Sequence, residues 1–308
     1  MYLEKRKIGK NIKYYLVHSY REKSKVEKIR RYLGSNLGEK ELEEQRRKVE
    51  KIIKEIVEER STKVFFFRLS KKQVELLNRE DKKIDITHLN KKEWKKFTEE
   101  FVYNTNAIEG STVREEEVPG ILEKQKPVNA DEMETKGVAN AVEYMKKTKE
   151  KLSLQTVLKL HKVCFESSKS FAGKFRDVDV VIRDYLGNVI HAGVPKEKLY
   201  EYLNDLMRWN QINKRKFKPL TLAAIMHNQF EHIHPFQDGN GRVGRLLLNF
   251  ILIKNKYPPI NITLEDRQEY YRTLQEYSKN GNLKPTIKFL IKQYKKTLRR
   301  VSTKKEKS

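Results

Sequence analysis

Apolar positions along this chain recur mostly at the spacing of helices and, in a few short places, at the spacing of strands. Ile12-Lys13-Tyr14-Tyr15-Leu16-Val17 and Val26-Glu27-Lys28-Ile29-Arg30-Arg31-Tyr32-Leu33 are rich in β-branched and aromatic residues and flank a charged turn between Arg21 and Lys25. They predict a β-hairpin, punctuated at its end by Gly34 and Gly38. Residues 39–60 are dense in Glu, Lys and Arg, yet Leu42, Val49, Ile52, Ile53 and Ile56 keep helical spacing. That pattern predicts an amphipathic linking helix. From about Val64 to Leu298 helical periodicity dominates, with no internal repeat. The expected fold class is mainly α: a helical bundle with an N-terminal β-hairpin extension.

One interruption breaks the helical pattern. Asp179-Val180-Val181-Ile182 and Val189-Ile190-His191 lie either side of Leu186-Gly187-Asn188, predicting a second small hairpin between two helices. Further on, Val243, Leu246, Leu247 and Phe250 share one stripe of a helix over 243–252. Arg242, Arg245 and Asn249 fall on its opposite side.

The residues leading into that helix carry the chemistry: His234-Pro235-Phe236-Gln237-Asp238-Gly239-Asn240-Gly241-Arg242-Val243-Gly244-Arg245. The glycines let the backbone turn tightly and bring N–H groups close to a ligand. A helix N-terminus at this point attracts anions through its free N–H groups and its dipole. Arg242 and Arg245 are forked cations suited to phosphate oxygens. Asp238 is the kind of hard donor that Mg²⁺ takes beside phosphate oxygens. His234 can accept a proton near neutral pH. Phe236 would anchor the loop in the core and Pro235 would stiffen it. In this order the parts point to phosphoryl or nucleotidyl transfer.

The string resembles the signature of the Fic family, His-Pro-Phe-x-Asp/Glu-Gly-Asn-Gly-Arg-x-x-Arg, at every fixed position. The resemblance implies a Fic-type helical bundle that transfers AMP from ATP to a Ser, Thr or Tyr hydroxyl of a target protein. It implies His234 as the catalytic base and Asp238 as the Mg²⁺ ligand. The implied nucleotide-binding run is Asp238, Gly239, Asn240, Gly241, Arg242, Val243, Gly244 and Arg245, with Arg245 on the γ-phosphate. It further implies that Tyr270 packs near the adenine. The second hairpin, at Val181 and Ile182, becomes a flap on which the target docks by strand addition; His191 is then a flap or packing residue rather than a second base. Ser278 stands where many relatives carry an asparagine that helps hold the base, so selectivity for ATP rests on the phosphate motif. The Leu160-His161 helix and the following Gly173-Lys174-Phe175-Arg176 extend the similarity, which spans about residues 98–298.

A second segment concerns control. Thr105-Asn106-Ala107-Ile108-Glu109-Gly110 is similar to the family's inhibitory helix, Ser/Thr-x-x-x-Glu-Gly/Asn. That similarity implies a switch in which Glu109 pairs with Arg245 and keeps the γ-phosphate away from it. Removal of AMP stays open beside its addition. The expected organisation is an N-terminal β-hairpin extension over 1–38 and a helical linker over 39–97. A Fic domain with its inhibitory helix follows over 98–298, with its core at about 151–292, and then a basic tail over 299–308.

Charge adds a further candidate partner. The chain carries a formal +25, and residues 284–308 hold ten Lys or Arg against the single acid Glu306. Such a surface attracts polyanions, so nucleic acid is a candidate partner beside ATP and the target protein. Two rival readings follow: a nucleotide-regulated nucleic-acid-binding protein, or a Fic enzyme moving another phosphate-linked group. Cys164 is the only cysteine, which excludes an internal disulfide and suits a reducing compartment. It lies in an apolar helical stretch and is expected to pack. The N-terminus alternates charges, and no apolar run approaches the ~20 residues of a membrane span. A cytoplasmic location is expected, with no membrane partner; the target and a homodimeric state stay open.

Overall fold

The computed structural model describes residues 1–22, 25–61, 63–64, 67–69, 71–84, 86–183 and 189–302. Residues 23–24 of the first expected turn, the Leu186-Gly187-Asn188 turn and residues 303–308 of the basic tail lie outside them. The chain divides into two compact units, Met1–Gln73 and Val74–Ser308.

In the first unit, β1 (Tyr2–Ile8), β2 (Asn11–Glu22) and β3 (Lys25–Ser35) form an antiparallel sheet in that order. The expected hairpin is β2 and β3, and a strand ahead of it joins the sheet. Leu3 pairs with Leu16 across β1 and β2, and a bulge at Tyr14 and Tyr15 shifts the β2–β3 register. Helix α1 (Glu39–Ser61) covers one face, where Leu16, Ile29, Leu33 and Ile53 form a buried cluster. The short β4 (Lys63–Val64) and β5 (Phe67–Arg68) pair with each other.

The second unit is helical. In order it has α2 (Lys71–Glu80), α3 (Lys91–Ile108), α4 (Val118–Glu123), α5 (Ala130–Lys147) and α6 (Leu154–Phe165). The hairpin β6 (Val181–Arg183) and β7 (Val189–Ala192) interrupts it, followed by α7 (Leu199–Asn213), α8 (Pro219–Ile233), α9 (Asn240–Lys254), α10 (Arg267–Asn280) and α11 (Lys284–Val301). Local signals set the starts. Asn90 and Glu93 close a capping box on α3, and Asn129 and Ser153 cap α5 and α6.

The antiparallel pair α8 and α9 is the centre of this unit. Both are buried around most of their circumference, including polar residues such as Asn228, Gln229, Arg242 and Arg245. Asn249, expected opposite the apolar stripe, is fully buried, and its amide exchanges two bonds with the backbone of Ile260. Cys164 is buried and its thiol is pushed up to about 12 by that burial. Among the described residues, no helix is long and apolar enough to cross a membrane.

Candidate active site

The site is built in the connection between α8 and α9. His234 ends α8 in the left-handed region (φ 54°), its N–H still bonding Phe230 O at 3.0 Å. A non-glycine residue there needs outside support. Arg176 supplies it: its buried guanidinium donates to His234 O at 2.7 Å and Val178 O at 2.7 Å, and also to Val194 O. Phe236 is fully buried and stacks on His161, ring centroids 3.8 Å apart. The N–H of Gly173 donates to His161 Nδ1, so the proton sits on Nε2 and donates to Asp238 O.

The turn closes through Asn240. Its side chain accepts from Phe236 N and donates to Phe236 O, both at 2.8 Å. This bracket starts α9 at Asn240, three residues earlier than the periodicity predicts. Gly239 (φ 82°) precedes it, and a Cβ there would strike the Phe165 ring. Glycine is required on both counts. Asn240 thus shapes the loop, leaving the free N–H groups of the first turn of α9 to face a ligand.

A cavity of about 480 Å³ opens over this turn. His234, Asp238, Gly239, Gly241, Arg245 and Glu109 all line it. Burial, reinforced by the neighbouring His191, lowers the His234 imidazole to about 4. It is therefore a neutral base at physiological pH. Its Nδ1 lies 3.4 Å from Glu231 O.

Arg245 is almost fully buried and held by α3. Thr105 Oγ1 accepts from its Nε at 2.7 Å, while Thr105 O and Glu109 Oε1 accept from Nη2 at 2.9 and 2.7 Å. Burial disfavours its charge, but the Glu109 carboxylate outweighs that and the guanidinium stays ionised. Glu109 follows the last turn of α3 as its C-cap, with Gly110 (φ 94°) beyond it. A Cβ on Gly241 would collide with Glu109 Oε1, so this carboxylate lies directly against the start of α9.

Three residues of the expected run sit elsewhere. Arg242 is buried against Glu134 Oε2 with its guanidinium 4.4 Å over Phe165; it faces this buried acid and not the cavity. Val243 is core, and Gly244 abuts Glu231 and His227. Asp238 is also engaged. Burial raises its pKa, but a 2.7 Å bond from Lys169 and the charge of Arg242 hold it below the usual carboxylate value. Lys169 also bonds Glu134 at 3.0 Å. Sequence reasoning missed Glu134 and Lys169, since neither belongs to a short pattern. It missed Glu231 as well, whose carboxyl is pushed up to about 8 by burial.

Of the other expected positions, Tyr270 and Ile182 line the cavity and Val181 does not. Tyr270 is buried, lines it, and meets His227 Nε2 at 2.9 Å through its hydroxyl. Ser278 lines it too, 3.4 Å from His232 Nδ1. In the hairpin, Ile182 pairs with His191, and Ile182 and Ile190 border the cavity. Val181, 49% exposed, pairs with Ala192. His191 Nε2 lies 3.0 Å from His232 O, and its ring lines the cavity 6.0 Å from that of His234.

Residues 151–252, which carry this loop between two buried helices, match the Fic/DOC family. The chain holds that match over about a third of its length. It is 29% identical over 207 residues to protein adenylyltransferase Fic of Nematostella vectensis, covering 64% of this chain and 47% of that protein. Among solved structures, Fic-1 (residues 134–508) from C. elegans superposes with a TM-score of 0.59 at 26% identity, covering 86% of this chain and 78% of that one. A Fic domain containing signaling protein from Bacteroides thetaiotaomicron superposes at 0.63 and 24% identity, covering 76% and 99%, which speaks for the fold alone. The chain spans less than half the length of the curated relatives it matches.

The donor set bears on the Mg²⁺ that the family implies. Among the described residues, no group of three or more His, Cys, Asp or Glu could hold a metal. The Asp238 side chain, 48% exposed, is one hard oxygen donor at the cavity rim. One carboxylate suits an ion that brings water and substrate phosphate oxygens as its remaining ligands.

Proposed function

We propose that this chain transfers AMP from ATP to a hydroxyl side chain of another protein, and that Glu109 restrains the reaction. The observation that carries the reading is a neutral, buried imidazole and the N-terminus of α9 bordering one cavity. The adenylyltransferase names of the relatives support it.

His234 takes the proton of the incoming hydroxyl, a contribution of about 10²–10⁴ in rate. The hydroxyl oxygen bonds to the α-phosphorus as the bond to the β-phosphate oxygen breaks, and pyrophosphate leaves. The N–H groups at the start of α9 stabilise the charge that gathers on the phosphates; one such donor is worth about 10²–10³ in rate. Asp238 would hold Mg²⁺, which supplies charge neutralisation on the polyphosphate when bound. Arg242, locked to Glu134, positions the turn rather than gripping the nucleotide. Tyr270 closes the cavity wall towards the base, and β6 with Val181 and Ile182 offers a strand edge for the target.

While Glu109 holds Arg245 and lies against Gly241, the γ-phosphate finds its cation taken and a carboxylate in its path. The test uses α-labelled ATP with wild type and His234→Ala. Loss of labelling with nucleotide binding retained supports the base assignment; equal labelling overturns it. The mass added to the product separates AMP from any other phosphate-linked group.

A further inference from the structure

The second unit has a use for its charges: on α11, Lys292 bonds Asp266 and Glu269, and Lys296 bonds Asp266. The strongest unabsorbed surface lies in the first unit. Residues 1–35 hold eleven Lys or Arg against three Glu. The face of the sheet opposite the α1 cluster carries, in cross-strand rows, Tyr2–Val17–Arg30, Glu4–Tyr15–Tyr32, Arg6–Lys13–Ser35 and Ser19–Lys28, with Val17 itself buried between its exposed neighbours.

Those rows interleave rings and cations. Tyr2 and Tyr32 are 48% and 51% exposed. The Arg6 and Arg30 side chains are 47% and 44% exposed. Tyr15 and Tyr32 pair across the strands with centroids 5.4 Å apart, and the Arg6 guanidinium lies 5.7 Å over Tyr15. Glu4, the one acid in these rows, bridges Arg6 and Arg30 and so fixes their direction across the face. Exposed phenol rings offer flat apolar surface that a ring-bearing partner can cover while the hydroxyls stay in water.

We propose that this face binds single-stranded nucleic acid, independently of the nucleotide site. Charge complementarity selects a polyanion. The exposed rings select bases with a free face, because a base–aromatic stack needs a base that is not already stacked in a duplex. Tyr2 and Tyr32 stack bases; Arg6, Lys13, Lys28 and Arg30 follow the phosphates.

The test is fluorescence anisotropy of the full chain with a labelled 20-nucleotide single strand, and with the same strand annealed to its complement. Tighter binding of the single strand, weakening with salt, supports the proposal. Tyr2→Ala and Tyr32→Ala should each weaken it about 5- to 150-fold, and Tyr32→Phe should retain it. Arg30→Gln should reduce the log–log salt slope by about 1. Duplex bound as tightly as single strand, tyrosine variants that bind like wild type, or no binding overturns it. Circular dichroism confirms that each variant keeps its sheet, and both rings are exposed enough for that.

Discussion

At His234 two requirements meet in one residue. Its backbone is left-handed, which turns the chain out of α8, and its ring is buried, which keeps it unprotonated. A lowered pKa favours the neutral base at every pH above about 4. The rate of AMP transfer should therefore stay flat from pH 8 to 6 and fall only as pH approaches 4. A pH–rate profile checks this, and a midpoint near the ordinary histidine value of about 6.5 would contradict the burial argument. The support beneath His234 is as specific. Arg176→Ala leaves the carbonyls of Val178, Val194 and His234 without their donor. It should lower stability by at least about 2 kcal/mol and depress turnover further than that loss explains, read by denaturant unfolding and by labelling rate. The sequence showed Arg176 only as the end of a Gly-x-Phe-Arg run. Its job was hidden because its acceptors are backbone atoms, up to 58 residues away.

Between elements, legibility depended on distance along the chain. The α8–α9 connection was readable because its signals are local: a proline and two glycines around an asparagine ahead of a helical stripe. The pairs Arg242–Glu134 and Asp238–Lys169 were not, being 108 and 69 residues apart. Strand β1 escaped for another reason. As an edge strand with one neighbour, it contributes only Leu3 to the core cluster, so the alternation that marks a half-buried strand is missing. The α3–α9 contact was anticipated through Glu109 and Arg245, though not the bonds from Arg245 to Thr105, and it supports a prediction at this scale. Glu109→Gly should raise AMP transfer about 5- to 150-fold, measured with labelled ATP under the same protein concentration. An unchanged or lower rate would remove Glu109 from control.

For the molecule as a whole, buried histidines set the response to acid. His161 and His227 are fully buried and each is lowered to about 4 by burial. A depressed folded-state value means the unfolded chain binds protons first, so stability is intact above about 6.5 and drains away as pH falls towards 4. Glu231, raised to about 8, acts in the opposite sense between its ordinary 4.5 and 8, one group against the four histidines lowered to about 4, His232 and His234 included. Thermal melts between pH 7.5 and 4.5 should show a falling Tm; a flat or rising curve would refute the balance. The net charge of +25 is spread along the chain: part of α11 is spent on ion pairs, and the sheet carries a share of its own.

The grip on Arg245 has a mechanical corollary. Two of its three bonds from α3 go to Thr105, one of them to a main-chain carbonyl. No side-chain change on α3 removes a bond to its main chain. Deleting a side chain there loosens only one finger of the clasp, whereas full release asks the rod to slide, its end to unwind or the buried Arg245 to swing away. A trigger that pulls on that rod can act far from the nucleotide.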